Sequence, residues 1–426
     1  MERRKGMSFT SEGMSFSDCD IVKFGGSSVA TAEKIKNAAR LVSEHVRKGK
    51  KTIVVVSAMG RTTDELMQLA NSTGNVTPQH LDEILSMGER TSARVLTAAL
   101  AAQGIKVDFV DIEKPEWPLI TDGDFGDAKI LLEETRPRVL RLLAERMHEL
   151  DALVIPGFIG KTRKGEITTI GRGGSDTTAF VIADALNTKQ VILVSDVSGI
   201  MSADPKLVDS PKRIDEIEVK KLVGLADSGL KFLHKKALSH KPRGTDVKLI
   251  GNQSRSLDAG GTIIRGSMKD VEIDIISADA SAITIVGEGI SSNPALLAEM
   301  LSAFKHEDGG ILGMAANSDN LVFYVHSHAS ERVCKKLHSL VAENRETMGL
   351  ALRSGLALIM INGISLQETP GSISRAATLL RDAGVNIFGQ YTVMSEIFLM
   401  VKKDDGEKAV ELLRKEFVRG EKNEKS

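Results

Sequence analysis

Residues 20–28 read Asp-Ile-Val-Lys-Phe-Gly-Gly-Ser-Ser, a strand–turn–helix pattern on which the prediction of the fold rests. A short strand-like run ends in two glycines and two hydroxyl side chains, and an Ala- and Lys-rich helical stretch follows to about residue 48. The same order returns at residues 52–60, where a β-branched run typical of a buried strand ends at Ser-Ala-Met-Gly. Strands and helices that alternate through glycine turns indicate a mainly parallel sheet covered by helices.

The alternation continues to about residue 195. We predict further helices over 81–103, 129–148 and 176–186, and further strands over 106–110, 152–156 and 190–195. In sheets of this kind ligands bind at the carboxyl ends of the strands, and the glycine-rich turns of this chain lie there. The sequence therefore predicts a ligand site at that edge of the sheet.

Length and charge exclude several classes of protein. A chain of 426 residues is too long for one ordinary core, so we expect two or more domains. The formal charge is −1, which gives no reason to expect nucleic acid or a membrane surface as partner. The longest apolar runs are strand-sized and too short to cross a membrane. Two distant cysteines, Cys19 and Cys334, favour a reducing cytoplasm over a disulfide framework or a zinc site.

The pattern changes after about residue 265, where an internal repeat begins. Asn293-Pro294 and Thr369-Pro370 each look like an N-cap residue followed by Pro at the first helical position. The inward-facing residues of the two helices are expected to be Leu297, Met300, Leu301 and Phe304, and Ile373, Ala377 and Leu380. Strand-like residues flank each helix, which predicts two βαββ-type modules of about 65 residues.

Two glycine turns carry candidate phosphate-binding chemistry. In the first, glycines between a strand and a helix let backbone N–H groups approach phosphate oxygens, and Lys23 adds a positive charge. A plain tight turn is the alternative. The second turn, residues 171–178, reads Gly-Arg-Gly-Gly-Ser-Asp-Thr-Thr. Its Arg172 offers a planar fork suited to a carboxylate. Its Asp176 either caps the following helix or holds lysines around a transferring phosphate.

Three other positions are candidates with open alternatives. Glu89 lies on the apolar stripe of a helix, where a carboxylate needs either an internal salt bridge or a ligand such as a substrate ammonium. Ser195 and Asp196 follow a buried strand, a place that suits nucleotide contacts. Lys231 stands alone in a partly apolar setting, which is also typical of an ordinary surface lysine.

Seven ordered motifs resemble those of the aspartate kinases. They are Lys-Phe-Gly-Gly-Ser-Ser-Val from residue 23, Ser-Ala-Met-Gly from 57, Gly-Glu-Arg-x-Ser from 88, Gly-Phe-Ile-Gly from 157, Gly-Arg-Gly-Gly-Ser-Asp from 171, Ser-Asp-Val-x-Gly-Ile from 195 and Lys-x-Leu-His from 231. The C-terminal repeat resembles the paired ACT modules of that family. The resemblance implies a three-layer α/β/α amino-acid-kinase fold, followed by two ferredoxin-like βαββαβ-type ACT domains.

The resemblance also implies domain boundaries. The expected parts are a tail over 1–19, a catalytic domain over 20–265, a linker over 266–280, ACT modules over 281–350 and 351–420, and a tail over 421–426.

Site residues carry over from the resemblance by position. The implied catalytic residues are Lys23, Asp176 and Lys231. The implied aspartate-binding residues are Thr62, Glu89, Phe158, Arg172 and Ser175. The implied ATP-binding residues are Lys23, Gly25, Gly26, Ser27, Gly173, Gly174, Ser195, Asp196, Met201 and Lys231. The implied effector-binding residues are Asn293, Ser318, Asp319, Ser395 and Glu396. Mg²⁺ would be coordinated mostly by ATP and water, with no protein metal site.

The implied reaction transfers the γ-phosphate of ATP to the side-chain carboxylate of L-aspartate. The product, 4-phospho-L-aspartate, opens the synthesis of lysine, threonine and methionine, and lysine or threonine would inhibit a homodimer or higher homo-oligomer through the ACT modules. Two alternatives stay open: a kinase of glutamate or a related acid, and a catalytically inactive amino-acid sensor. Intact candidate residues argue against the sensor.

Overall fold

The computed structural model describes residues 19–204, 206–227, 233–267, 271–308, 310–363, 366 and 369–419. The chain divides into two compact units, Met1–Met268 and Lys269–Ser426. The first is called unit 1 below, and the second is called unit 2.

Unit 1 is built on a mainly parallel sheet. Its strands are β1 (Asp20–Phe24), β2 (Thr52–Val56), β3 (Val107–Phe109), β4 (Ala152–Pro156), β5 (Ile159–Lys161), β6 (Ile167–Thr169), β7 (Gln190–Ser195), β8 (Ile200–Met201), β9 (Arg213–Ile214), β10 (Glu216–Glu218), β11 (Asp246–Gly251) and β12 (Thr262–Arg265). In the part of the chain that is described, the main sheet has the order β10-β12-β11-β7-β1-β2-β4-β3, with β11 to β3 parallel and β12 antiparallel to β11. The predicted parallel sheet is confirmed.

Helices form a layer on each face of this sheet. They are α1 (Ala32–Arg47), α2 (Thr62–Ser72), α3 (Pro78–Ala101), α4 (Leu132–Arg146), α5 (Gly174–Leu186), α6 (Val219–Asp227) and α7 (Lys235–Ser239). Val22, Val54 and Val154 are fully buried in a core with α1 and α3. Side chains alternate along a strand, so Lys23 points to the opposite face, where α5 packs against β1 and α4 packs against α5. This alternation places the one lysine of β1 beside α5.

Unit 2 is one antiparallel sheet with helices. Its elements are β13 (Val271–Gly287), α8 (Pro294–Ser302), β14 (Gly313–Ala316), β15 (Asn320–His326), α9 (Ser327–Glu343), β16 (Thr347–Gly363), α10 (Ser372–Asp382), β17 (Ile387–Val393), β18 (Glu396–Lys402) and α11 (Gly406–Arg414). The strand order is β14-β15-β13-β16-β18-β17. None of the described helices is long and apolar enough to cross a membrane.

The two βαββαβ modules share their long strands. The second half of β13 pairs with β15, whereas its first half pairs with the end of β16, from Val271 opposite Gly363 to Ile275 opposite Ile359. The sheet of the second module is therefore completed by residues 271–275, which precede the first module in sequence. The expected linker over 266–280 is wrong, because residues 271–280 belong to β13. The expected boundary between residues 350 and 351 falls inside β16.

The two module helices begin differently. Asn293 caps α8, since its side chain accepts the N–H of Leu296 at 3.1 Å and Pro294 follows at the first helical position. The predicted start of the second helix at Thr369-Pro370 is wrong: α10 begins at Ser372, after Gly371 in the left-handed region with φ 83°. The predicted inward face of this helix, Ile373, Ala377 and Leu380, is wrong in part. Ala376 and Leu380 are buried, while Ile373 is 40% exposed.

Candidate active site

The turns after β1 and β2 are hydrogen-bonded to neighbouring strands at the carboxyl edge of the sheet. Gly25 donates its N–H to the carbonyl of Val194 at 3.1 Å, at the end of β7. Ser57 donates its N–H to the carbonyl of Phe24 at 3.1 Å. Candidate phosphate-binding groups are therefore attached to the central strands of a rigid sheet.

Gly26 allows the first two turns to approach each other. A Cβ atom at this position would lie 2.6 Å from the carbonyl oxygen of Ala58, so a side chain there would displace the backbone. Gly60 also donates its N–H to the carbonyl of Gly26 at 3.0 Å. The glycine in the motif is thus required by a close approach of two backbones. Next to it, the carbonyl of Ser27 accepts a hydrogen bond from Lys34 Nζ at 2.7 Å.

The second glycine turn leads into α5 through left-handed backbone. Gly171 and Gly173 both have φ of 77°, a region that favours glycine. Gly174 lies against Phe158, which is itself a non-glycine residue at φ 67°. A bulky side chain held in this region carries backbone strain, which often accompanies functional sites. Ser175, in the first turn of α5, is buried against Gly157.

Lys23 and Asp176 form an ion pair with Nζ and Oδ1 2.5 Å apart. Both side chains are mostly buried, at 12% and 13% exposure. Asp176 lies in the first turn of α5. Of the two functions considered for Asp176 from sequence, the structure shows the contact with a lysine.

Glu89 has one carboxylate oxygen satisfied and one free within the described residues. Its side chain is buried on α3, and Oε1 accepts the N–H of Ala58 at 3.0 Å. Oε2 is buried and has no hydrogen-bond partner among the residues that the structure places. Burial raises the pKa of Glu89 to about 7, against the opposing effects of the Ala58 N–H and the charge of Lys23. Because a buried carboxylate oxygen without a donor is costly, this atom suits a cationic ligand.

The other predicted substrate residues differ in their surroundings. Arg172 is exposed and forms no ion pair with any described residue, so its guanidinium is free to bind an anion. Thr62 opens α2, and its hydroxyl donates to the carbonyl of Met59 at 2.6 Å. Its methyl group lies near Gly88, which precedes Glu89 on α3.

The predicted nucleotide residues lie at the end of β7, the neighbour of β1. Ser195 donates from its hydroxyl to Asp196 Oδ1 at 3.0 Å, and its carbonyl accepts the N–H of Asn252 at 2.6 Å. Met201 follows in β8. Lys231 lies outside the described residues, so its predicted function is neither supported nor opposed.

The predicted effector residues are divided between the two modules, as expected from their positions in the repeat. Asn293 lines a cleft of about 460 Å³ in the first module, and its Nδ2 donates to Glu346 Oε2 at 2.7 Å. Ser318 and Asp319 lie in the turn after β14 and do not line this cleft. In the second module Ser395 is buried at the turn before β18, and Glu396 begins that strand.

Asp82 is a buried carboxylate near the second glycine turn that was not predicted from the sequence. It accepts the N–H of Gly126 at 2.9 Å, the N–H of Thr169 at 2.8 Å and the Thr169 hydroxyl at 2.7 Å. It thereby attaches the loop before α4 to the end of β6, just ahead of the second glycine turn. A signal was present, since Asp82 lies seven residues before Glu89 on the same buried stripe of α3.

Relatives of known sequence match almost the whole chain. The model of the amino acid kinase family matches residues 19–250. An aspartokinase of Thermus thermophilus is 30% identical over 408 residues, which cover 93% of this chain and 98% of that protein. The aspartokinase of Geobacillus stearothermophilus is 32% identical over 376 residues, which cover 86% and 89%.

Solved structures agree in fold. The aspartate kinase from Synechocystis superposes with a TM-score of 0.78 at 24% identity, over 94% of this chain and 69% of that one. Escherichia coli aspartokinase III, solved with aspartate and ADP in the R-state, superposes with a TM-score of 0.54 at 22% identity. The match covers 94% of this chain and 100% of that one. The family model spans more than half of the chain, and the Thermus relative is covered nearly end to end. The chain therefore belongs to the aspartokinase branch of the amino acid kinase family, the ATP-dependent aspartate kinases.

Proposed function

We propose that this kinase phosphorylates the side-chain carboxylate of L-aspartate to give 4-phospho-L-aspartate, as the first step toward lysine, threonine and methionine. The observation that carries the proposal is the partnerless Oε2 of Glu89 near the Lys23–Asp176 pair, within the part of the chain that is described. An amino-acid ammonium would satisfy that oxygen, and the lysine would stabilise negative charge on a phosphoryl group.

Arg172 supplies the second anchor for the substrate. A guanidinium at the start of α5 that pairs with no described carboxylate suits bidentate binding of the α-carboxylate. With the ammonium at Glu89 and the α-carboxylate at Arg172, the side-chain carboxylate is the group left to react. We propose that Thr62, Phe158 and Ser175 shape the pocket around it.

The chemical step needs alignment and charge stabilisation. The side-chain carboxylate is ionised at neutral pH, so it attacks without a general base. Its oxygen forms a bond to the γ-phosphorus while the bond to the β,γ-bridging oxygen breaks, and ADP leaves. Gly26 and Gly173 would place backbone N–H groups on the phosphates. Gly25 and Gly174, whose N–H groups donate to the carbonyls of Val194 and Gly171, would shape the two turns around them. Lys23 would neutralise developing charge, with Asp176 fixing its ammonium.

Mg²⁺ fits this proposal as an ion held by the nucleotide. Within the described ranges, no cluster of three or more His, Cys, Asp or Glu side chains is arranged to hold a metal. We propose that phosphate oxygens and water supply most of its ligands. When bound, the ion offsets phosphate charge. Ser195, Asp196 and Met201 are proposed for the nucleoside side.

A hydroxylamine-trapping assay tests the reaction. The enzyme is incubated with ATP, Mg²⁺ and either L-aspartate, L-glutamate or N-acetylglutamate, and ADP release is measured in parallel. We expect a hydroxamate with L-aspartate alone, because an acyl phosphate reacts with hydroxylamine. A hydroxamate from glutamate would point to another acid as substrate, and ATP binding without turnover would favour a sensor.

The substitution Arg172→Ala should raise the aspartate KM about 30-fold, because one partner of a charge-assisted contact is removed. The ATP KM should stay close to the wild-type value. Initial-rate kinetics measure both constants. Arg163→Ala is the control, since it removes an exposed arginine that pairs with Glu134 instead. Unchanged aspartate kinetics in Arg172→Ala would reject the proposed anchor.

We also propose that lysine or threonine inhibits through unit 2, in a homodimer or higher homo-oligomer. The two modules share β13 and β16, so a ligand on one module can act on the other through continuous strands. Light scattering should give at least twice the chain mass of 45.9 kDa. Titration with lysine and with threonine should show inhibition by at least one. A monomer insensitive to both would overturn this part of the proposal.

A further inference from the structure

We propose that Asp127 and Lys236 are positioning residues that hold the second glycine turn, residues 171–174, in its working conformation. Lys236 Nζ forms an ion pair with Asp127 and donates a hydrogen bond to the carbonyl of Ile170 at 2.7 Å. One ammonium therefore connects helix α7 to the loop before α4 and to Ile170, the residue just before the turn. This three-way contact is called the latch below.

The Asp127 side of the latch is firmly attached. The N–H of Gly126 is bound by buried Asp82 at 2.9 Å, and the N–H of Ala128 donates to the carbonyl of Thr169 at 2.9 Å. Asp82 also accepts two hydrogen bonds from Thr169. The loop that carries Asp127 is thus bound on one side to Asp82 of α3, which also binds Thr169. On the other side it is bound directly to Thr169, the last residue of the strand that leads into the turn.

The turn itself is enclosed by the latch. A Cβ atom on Gly171 would lie 2.1 Å from Asp127 Oδ1, so the carboxylate occupies the space that a side chain would take. At the other end, Gly173 lies against His234, where a Cβ atom would be 2.6 Å from His234 Cβ. His234 caps α7 by accepting the N–H of Lys236. Asp127 lies against one end of the turn and His234 against the other, and Lys236 forms hydrogen bonds with both.

We expect the latch to contribute more to the position of the second glycine turn than to the stability of the fold. The Lys236 and Asp127 side chains are 27% and 67% exposed, and exposed ion pairs contribute little to folding. The turn, however, carries Arg172 and the backbone N–H groups at the start of α5. A binding constellation loses affinity when its support allows small displacements. This inference rests on the proposed binding of the substrate carboxylate by Arg172.

Kinetics of four variants test the latch. Asp127→Asn and Lys236→Met should each raise the aspartate KM about 10-fold while kcat stays within about threefold. The double variant should be no worse than Lys236→Met, because loss of the ammonium already removes its contacts with both Asp127 and Ile170. Lys236→Arg should recover most of the loss, since it restores the charge and a donor. KM values within about twofold of wild type, or additive losses, would overturn the proposal.

A control and a second measurement separate the latch from the proposed reaction. Lys48→Met breaks an exposed Lys48–Asp258 pair beyond the end of α1 and should leave the KM unchanged. Hydrogen exchange of residues 170–175, measured without substrates, should be faster in Asp127→Asn and Lys236→Met than in wild type or Lys48→Met. Unchanged exchange there would overturn the latch. Exchange needs no turnover, so a wild type that forms no aspartyl hydroxamate would refute only the proposed reaction.

Discussion

The substitution Lys23→Ala is expected to lower kcat about 10³-fold, which is the upper range for loss of one preorganised stabilising group. The reason is position: Lys23 lies near the end of β1, just before the glycine turn, and Asp176 holds its ammonium at 2.5 Å. The ATP Kd should change much less, because backbone N–H groups of two turns remain. Steady-state kinetics and ATP binding by calorimetry give the two quantities.

A matched lysine controls for Lys23→Ala. Lys51 is another half-buried lysine next to a central strand, but it lies at the amino end of β2, where its Nζ donates to backbone carbonyls, among them that of Leu150 at 3.0 Å. Lys51→Ala should leave kcat near the wild-type value. If Lys23→Ala weakens ATP binding as much as it lowers kcat, the lysine serves ground-state binding alone. That result would remove it from the proposed chemical step.

The substitution Glu89→Gln is expected to raise the aspartate KM about 100-fold, because the carboxylate paired with a buried ammonium is lost. Gln keeps the shape and an oxygen for the Ala58 N–H, so α3 should be undisturbed. Succinate, which lacks the ammonium, provides the sharpest comparison. As a competitive inhibitor it should bind wild type and Glu89→Gln about equally. A loss of succinate affinity equal to the loss for aspartate would contradict the assignment.

Glu83→Gln is the control for this position. Glu83 is an exposed carboxylate on the same helix, so the same chemical change there should leave the aspartate KM unaltered. An effect of similar size from both substitutions would mean that the charge of α3 matters, not a contact at Glu89.

The raised pKa of Glu89 adds a pH dependence. The free enzyme binds this proton more tightly when folded than when unfolded, since burial raises the pKa to about 7. Protonated Glu89 therefore contributes to the free energy of unfolding. This contribution is complete below the ordinary carboxyl pKa and is lost as the pH rises through about 7. Glu89→Gln should therefore have a higher Tm than wild type at pH 8 and a similar Tm near pH 4.5. Aspartate binding should weaken below about pH 7 in wild type only.

Several features of the site could be read from local sequence. Glycines at positions 26, 171 and 173 mark turns in which a close backbone approach or a left-handed φ favours glycine. A strand followed by such a turn and a helix predicts which sheet edge these turns share. The buried stripe of α3 placed Glu89 inside without any knowledge of neighbours. These features could be predicted because each depends only on residues that are close together in the sequence.

Contacts between distant residues needed the tertiary structure. Whether Asp176 caps a helix or binds a lysine depends on Lys23, which is 153 residues away in sequence but adjacent through the parallel sheet. Asp82 and the latch were missed for the same reason, since no periodicity indicates that Lys236 meets Asp127. Their partners are brought together by loops whose paths the local pattern leaves open.

The two modules of unit 2 show most clearly which features follow from local sequence and which depend on long-range contacts. Alternating apolar residues and caps determined that strands and helices form after residue 265, because those signals arise from local backbone geometry and burial. The pairing of Val271–Ile275 with residues 359–363, which completes the sheet of the second module, could be seen only in the folded chain. The sequence of a strand does not indicate which neighbour it pairs with, because the hydrogen-bonding groups are the same backbone atoms in every residue except proline. Sequence determined the elements, and long-range packing selected their partners.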